Sequence, residues 1–304
     1  MNFATTYPMV SHPYDPGLLS GDAIARIARA AEAAGFRGIG FTDHPAPSDR
    51  WLKAGGHDAL DPFVAMAWAA AATTTIRLIP NVVVLPYRNP FIVAKAGATL
   101  DLLSGGRFTL SVGSGYLKSE FAALGVDHAA RNEIFDESID VIRAIWTGDD
   151  VSFEGQHFSA RGITAQPRPT VCPPIWIGGN SARARQRVAE RGDGWAPFPA
   201  PRELAATSRT AGLSTLDELA VALDDLATRL AAHGRMLGDV DVTFACHAGG
   251  DPHADGFDAD AHIEGIRALD ALGVTWLQVG VPGTDAAQAA DAYARYGELV
   301  IAKL

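Results

Sequence analysis

Cysteine is almost missing. Cys172 and Cys246 are the only two in 304 residues, with no C-x-x-C spacing and no histidine–cysteine cluster around them. A disulfide framework and a structural zinc are therefore not expected, and the thiols read as those of a reduced, cytoplasmic protein. Basic charge is scarce too: 25 Lys and Arg against 35 Asp and Glu leave a formal charge of −10. That balance argues against nucleic acid or an anionic membrane as a partner, though a cleft can still hold a small anion. Long apolar runs are also absent. The most apolar stretch, Val64 to Leu85, is interrupted by Thr73, Thr74, Thr75, Arg77 and Pro80, too often for a membrane span. Met1 to Asp15 lacks the basic start and apolar centre of a secretory signal.

Several catalytic signatures are lacking as well. No G-x-S-x-G marks a serine hydrolase, and no H-x-H lies on the first strand as in metal-dependent barrel hydrolases. The loop from Asp251 to His262 is rich in Asp, but it lacks the Gly and Glu positions of an EF-hand. It reads as a solvated loop with an Asp helix cap, and no metal is expected.

What is present is a rhythm. At 48% hydrophobic residues the chain can bury a core. Short β-branched or aromatic runs alternate with Ala-rich amphipathic segments. Strand-like runs fall at Phe3 to Tyr7, Gly38 to Thr42, Ile76 to Leu85, Phe108 to Val112, Ile175 to Ile177, Gly194 to Phe198, Val240 to Cys246 and Val274 to Val279. Helix-like segments lie between them. Residues 148–174 interrupt the rhythm with a hairpin pattern at 151–158, turning at Glu154-Gly155, and a Pro-rich extended stretch. Alternating β and α units imply a parallel sheet under helices. Eight of them fit an α/β, (β/α)8 TIM barrel with a hairpin insertion, one domain through residues 1–304. The rival open sheet would show a glycine fingerprint after its first strand, where this chain has Pro8-Met9-Val10-Ser11-His12-Pro13.

Ligands of such barrels sit at the C-terminal ends of the strands. Polar and small residues follow those ends here: Asp43-His44, Asn81-Val82, Gly113-Ser114-Gly115-Tyr116, Gly178-Gly179-Asn180 and Trp195. Asp43-His44 offers an imidazole with an orienting carboxylate. Alone, the pair equally suits a helix cap and a loop histidine. Gly178-Gly179-Asn180-Ser181 runs into a helix whose first amides are free, a geometry suited to phosphate or to an ordinary turn. His12 and Trp51 are further pocket candidates, and Pro8 to Pro16 a candidate lid.

Taken in order, these stretches resemble the bacterial luciferase-like oxidoreductase superfamily, particularly its coenzyme F420-dependent branch. The matching segments include Ala31 to Phe36, Phe41 to His44, Pro90 to Lys95, Leu100 to Arg107, Gly113 to Phe121, Pro174 to Gly179 and Gly192 to Trp195. The resemblance covers residues 20–198 well; beyond that only the rhythm matches. It implies F420, or alternatively FMN, laid across the barrel mouth, with Asp43 and His44 beside the redox ring. It also implies a non-proline cis peptide at Asn81–Val82. Gly113, Ser114, Gly115 and Tyr116, with Gly178, Gly179 and Asn180, would hold the phosphate tail. Paired helices would form a homodimer. The expected activity is hydride transfer between F420 and a small organic substrate. An FMN monooxygenase using O2 and a non-catalytic F420-binding protein are the alternatives. One departure stands out: the branch's sugar-phosphate dehydrogenases carry a catalytic Glu where this chain has Tyr116. That puts sugar-phosphate oxidation in doubt and makes Tyr116 a candidate proton donor. Glu120, the nearest carboxylate, is expected to cap the following helix.

Overall fold

The computed structural model describes residues 1–201, 203, 205–206 and 210–304. The barrel begins with β1 (Asn2–Thr6), α1 (Gly21–Ala33) and β2 (Gly38–Gly40). A short α2 (Asp49–Lys53) and α3 (Pro62–Ala72) lead to β3 (Arg77–Leu78) and β4 (Val83–Val84). Then come α4 (Pro90–Ser104), β5 (Leu110–Gly113), short α5 (Lys118–Ala123) and α6 (Arg131–Thr147). A hairpin, β6 (Val151–Glu154) with β7 (Ser159–Ile163), precedes β8 (Ile175–Gly178), α7 (Ala182–Arg191) and β9 (Gly194–Ala196). The chain ends with α8 (Leu216–Ala232), β10 (Asp241–Phe244), α9 (Ala259–Ala271), β11 (Trp276–Val279) and α10 (Ala286–Leu299).

Local chemistry fixes the helix ends. Ser20 caps α1 by accepting the Ala23 amide, and Asn89 caps α4 ahead of Pro90. Gly105 closes α4 in the left-handed region at φ 71°. Thr215 and Glu218 form a reciprocal capping box at the start of α8.

The parallel sheet runs β3-β2-β1-β11-β10-β9-β8-β5-β4. Its two outer members are halves of one barrel strand, so the sheet closes. The Leu78 amide donates to the Arg107 carbonyl at 2.9 Å, and the Thr109 amide to the Leu78 carbonyl at 3.0 Å. Ile39, Leu78, Val83, Leu110, Val112, Ile175, Ile177 and Val242 from the strands are all fully buried. They lie in one core with residues of the surrounding helices, such as Ile27, Met66 and Ile142. Among the described residues, no helix is long and apolar enough to cross a membrane.

Two expected elements differ in detail. The continuous strand from Ile76 to Leu85 is split between β3 and β4, where Pro80 brings no amide donor and the Asn81–Val82 peptide is cis. Gly40 faces the break: a Cβ there would lie 1.8 Å from the Ile79 carbonyl oxygen, so no larger residue fits. The hairpin turns later than expected and its second strand starts at Ser159. The Glu137 carboxylate claims the amides of Gln156, His157 and Phe158, the closest at 2.6 Å, and this holds those residues in the turn.

Candidate active site

The loop after β2 carries Asp43 and His44, and the two diverge at once. Asp43 turns into the protein. Its carboxylate is buried and accepts from the Val84 amide at 3.0 Å and from the Arg88 guanidinium at 2.7 and 3.1 Å. Arg88 also reaches Asp61 at 2.9 Å. Asp43 therefore anchors β4 instead of orienting the neighbouring imidazole.

His44 turns toward the mouth, with its side chain 12% exposed. Its Nδ1 lies 3.1 Å from Oε2 of Glu120, while the Glu120 side chain is 0% exposed. Glu120 makes no cap hydrogen bond to α5. It accepts instead from the Tyr87 hydroxyl at 2.9 Å and from the Ala46 amide at 3.2 Å. The expected cap is thus a buried acceptor for three groups. Burial, reinforced by that carboxylate, raises the Tyr87 hydroxyl far above its ordinary range.

An aromatic wall surrounds His44. The Trp51 ring lies 4.6 Å away centre to centre, and His57 stands edge-on at 5.0 Å. Tyr116 stands edge-on at 6.5 Å. Burial pushes the Tyr116 hydroxyl up and the His57 imidazole down. His57 donates from Nδ1 to the Asp58 carbonyl, 3.0 Å away. The Asp58 carboxylate in turn holds His12 Nδ1 and the Tyr14 amide, each at 2.9 Å. His12 thus ties the loop after β1 to the loop after β2, on the outer side of the ring cluster.

At the floor, the Thr6 hydroxyl accepts from the Asn81 and Gln278 side-chain amides, both at 2.9 Å. This row joins β1, the broken strand and β11 across the mouth. Gly113 and Gly178 flank Val82: a Cβ on either would lie 2.7 or 3.3 Å from its methyl groups. Their bareness makes room for the broken strand. Gly115 and Gly179 have φ of +74° and +106° and shape the two turns. Ser114 is half-buried at the first turn. Asn180 is fully engaged: its Nδ2 donates to the Phe198 and Ala211 carbonyls at 2.9 and 3.1 Å, and its Oδ1 accepts the Phe198 amide. It fastens the loop after β9. Trp195 is 0% exposed and donates to the Gly179 carbonyl at 2.9 Å, so it sits in the barrel wall, not at an open rim.

On the opposite wall, a cavity of about 360 Å³ opens at the ends of β10 and β11, lined by Cys246, His247, Asp251, Gln278 and Tyr296. In the Asp-rich loop, Asp258 caps α9 through the Ala261 amide. His44, Trp51 and Tyr116 are therefore gathered, Asn81 and the glycine turns share their end of the barrel, and the side chains of Asn180 and Trp195 are engaged within the protein. The sequence suggested a capping role for Glu120 and did not single out His57, Tyr87, Arg88, Thr6 or Gln278. Two carried a faint signal. Gln278 interrupts the apolar run Trp276-Leu277-Val279, and Glu120 abuts Phe121-Ala122-Ala123.

An eight-stranded parallel barrel with polar and aromatic side chains gathered at its C-terminal mouth is a ligand-binding barrel of the kind that hosts enzymes. Residues 1–266 match the luciferase-like monooxygenase family, and the chain belongs to that family. It is 33% identical to the F420-dependent glucose-6-phosphate dehydrogenase of Beutenbergia cavernae over 252 residues, 81% of this chain and 68% of that one. Matches to uncharacterized mycobacterial proteins span 62% of their length at 34% identity. The fold is similar to monooxygenase RslO1 of Streptomyces bottropensis, with TM-score 0.80, 19% identity and coverage of 100% and 99%. It is also similar to the FMN-bound 3,6-diketocamphane monooxygenase component from Pseudomonas putida, with TM-score 0.77, 17% identity and the same coverage.

Proposed function

We propose that this protein is an oxidoreductase that transfers a hydride between a deazaflavin of the F420 type and a small organic substrate. One observation carries the reading. At the mouth of the barrel an imidazole is gripped through one nitrogen by a buried carboxylate and walled by an indole and a phenol, with its other nitrogen engaged by no described residue. A planar redox ring needs such a wall and a proton-handling group at its edge. The 33% identity to an F420-dependent relative supports the deazaflavin.

The residues fit such a cofactor. Asn81 is exposed on the floor beside Val82, and Ser114 offers a hydroxyl engaged by no described residue. Past Gly178 and Gly179, the first-turn amides of Ala182 and Arg183 on α7 are left over for a phosphate, since the amides of Gly179 and Asn180 are spent on Ala196 and Thr210. The bound ring would supply reversible hydride acceptance. The chain's own residues orient it and exclude water, and His44 moves a proton. Tyr116 stands where the sugar-phosphate dehydrogenases carry Glu, which favours another substrate.

Titrating the purified protein with F420 and with FMN, following fluorescence quenching, tests the cofactor. Tight F420 binding followed by substrate-dependent F420 reduction is expected. Quenching by FMN alone, with O2 consumed in the presence of reduced FMN, would favour a monooxygenase instead. The two monooxygenases of similar fold keep that second reading in view. Tight F420 binding without turnover on any substrate would leave a carrier.

The reading extends to a cytoplasmic homodimer, all 304 residues forming one domain. An apolar groove of about 830 Å³ between α3 and α4, lined by Phe63, Val64, Trp68, Leu100 and Leu103, is the face we assign to the second copy. Trp68 is 54% and Leu103 80% exposed, more than an isolated surface would favour. Light scattering after gel filtration should give twice the 32.0 kDa chain mass.

A further inference from the structure

The buried carboxylate under His44 has a task that follows from hydrogen counting. We propose that Glu120 is a positioning residue that fixes His44 as the Nδ1–H tautomer, so that Nε2 presents a lone pair to the mouth. The inference rests on the reading of His44 as the proton-handling group.

Glu120 has no access to water, so its oxygens need donors from the protein. Two are unambiguous. The Ala46 amide can only donate, and the Tyr87 hydroxyl, 2.9 Å away, is held in its protonated form by burial and by this same carboxylate. A carboxylate only accepts. Its third neighbour, His44 Nδ1 at 3.1 Å, must then bring the hydrogen. With the hydrogen on Nδ1, a neutral imidazole has its lone pair on Nε2. The three donors come from two places: the loop after β2 supplies His44 and Ala46, and the turn after β4 supplies Tyr87. Glu120 itself is on α5. The carboxylate therefore fixes the ring's direction as well as its tautomer.

The other groups facing His44 do not compete for Nδ1. Trp51 lies against the ring at a 36° tilt, Tyr116 stands edge-on to it, and His57 is committed to the Asp58 carbonyl. Asp43 is committed to Arg88 and Val84. The consequence for chemistry is balanced. In alcohol oxidation the O–H bond breaks and its proton bonds to Nε2. A bound deazaflavin would supply the acceptor for the C–H hydrogen and its electron pair, so that proton and hydride leave by separate routes. The imidazolium so formed is neutralised by Glu120, 3.1 Å away. The reverse reaction returns the proton from Nε2. This chain thus carries its carboxylate four residues beyond Tyr116, and delivers it to the histidine.

The test is long-range proton–nitrogen NMR on the cofactor-free protein labelled with ¹⁵N histidine, with His44→Gln assigning the signals. At mildly alkaline pH the wild type should show His44 Nδ1 as the protonated nitrogen and Nε2 as the bare one. Glu120→Gln should give mixed or inverted tautomers. It should also lower kcat about 100-fold, within the usual range for a proton-transfer group, with KM and cofactor affinity within about twofold. Tyr87→Phe should leave the tautomer unchanged. A wild-type spectrum with the hydrogen on Nε2 overturns the proposal, as does a Glu120→Gln protein with unchanged tautomer and kcat. If Glu120→Gln does not fold, the wild-type spectrum alone decides. Since the spectra need no cofactor, failure of the F420 reading leaves this result separately legible.

Discussion

His44 and His262 lie near the same end of the barrel and differ in what they have left over. His262 is 2% exposed, with Nδ1 2.8 Å from the Ala248 carbonyl and Nε2 3.1 Å from the Tyr296 hydroxyl. Carbonyl and hydroxyl together make it a neutral ring with both nitrogens spent, and burial lowers its pKa. His44 spends one nitrogen on a carboxylate and keeps the other. A histidine's suitability for chemistry here depends on one unspent nitrogen beside a counter-charge, not on burial or on the residues adjacent in sequence.

The sharpest way to break the comparison is to remove each ring in turn. His44→Ala should lose turnover by about 10²- to 10⁴-fold, the span typical of a general acid–base group, in a protein that still folds cooperatively, with a lowered unfolding midpoint because buried Glu120 loses a donor. Normal turnover would end its role. Asp43 extends the contrast by one residue. Asp43→Asn strips the bidentate partner from Arg88 and should destabilise the protein by roughly 3 kcal/mol, as breaking a buried pair does. Urea unfolding would measure it. Activity lost without stability lost would mean that Asp43 meets the ligand after all.

His262→Phe should do the reverse of His44→Ala. It leaves the buried Tyr296 hydroxyl without its acceptor, a loss of about 1–3 kcal/mol, while cofactor titration and kcat hold. The wild type's pH dependence follows the same logic. The folded-state pKa values of His57 and His262 are lowered below the ordinary 6.5. Their neutral forms stabilise the fold above that value, and stability falls as pH drops below it because the unfolded chain binds more protons. His262→Phe should flatten part of that decline.

The barrel was legible in the sequence because period is a local property: β-branched runs and the Ala-rich amphipathic segments between them announce themselves. The sequence could group His44, Trp51 and Tyr116 because each stands at the end of a strand or in the connection that follows, and the fold brings the three side chains together. Glu120 was not, since its partner lies 76 residues away and the same spelling serves a helix cap. Asn180 failed for a related reason. An asparagine after two glycines reads as a ligand contact, but its amide is used up on Phe198 and Ala211, which only the folded loop brings near.

The smallest effect tests whether a carboxylate can be busy and still not functional. Glu32, on α1, collects four donors where Glu120 collects three. Its Oε1 accepts the amides of Thr74, Thr75 and Ile76 and the Thr75 hydroxyl, at 2.6 to 2.9 Å. Partial burial opposes ionisation, but those four donors outweigh it and bring the carboxyl to about 2. A folded-state pKa below the ordinary 4.5 means stability that is present above 4.5 and lost as pH falls toward 2. Glu32→Gln should therefore be modestly less stable than the wild type at neutral pH, and the gap should close between pH 4.5 and 2. Turnover at neutral pH should not move, because every donor comes from the segment that feeds β3 and none from a ligand. A gap that persists unchanged to pH 2, in paired urea titrations, would show that the amide serves those donors poorly for geometric reasons and that charge contributes nothing.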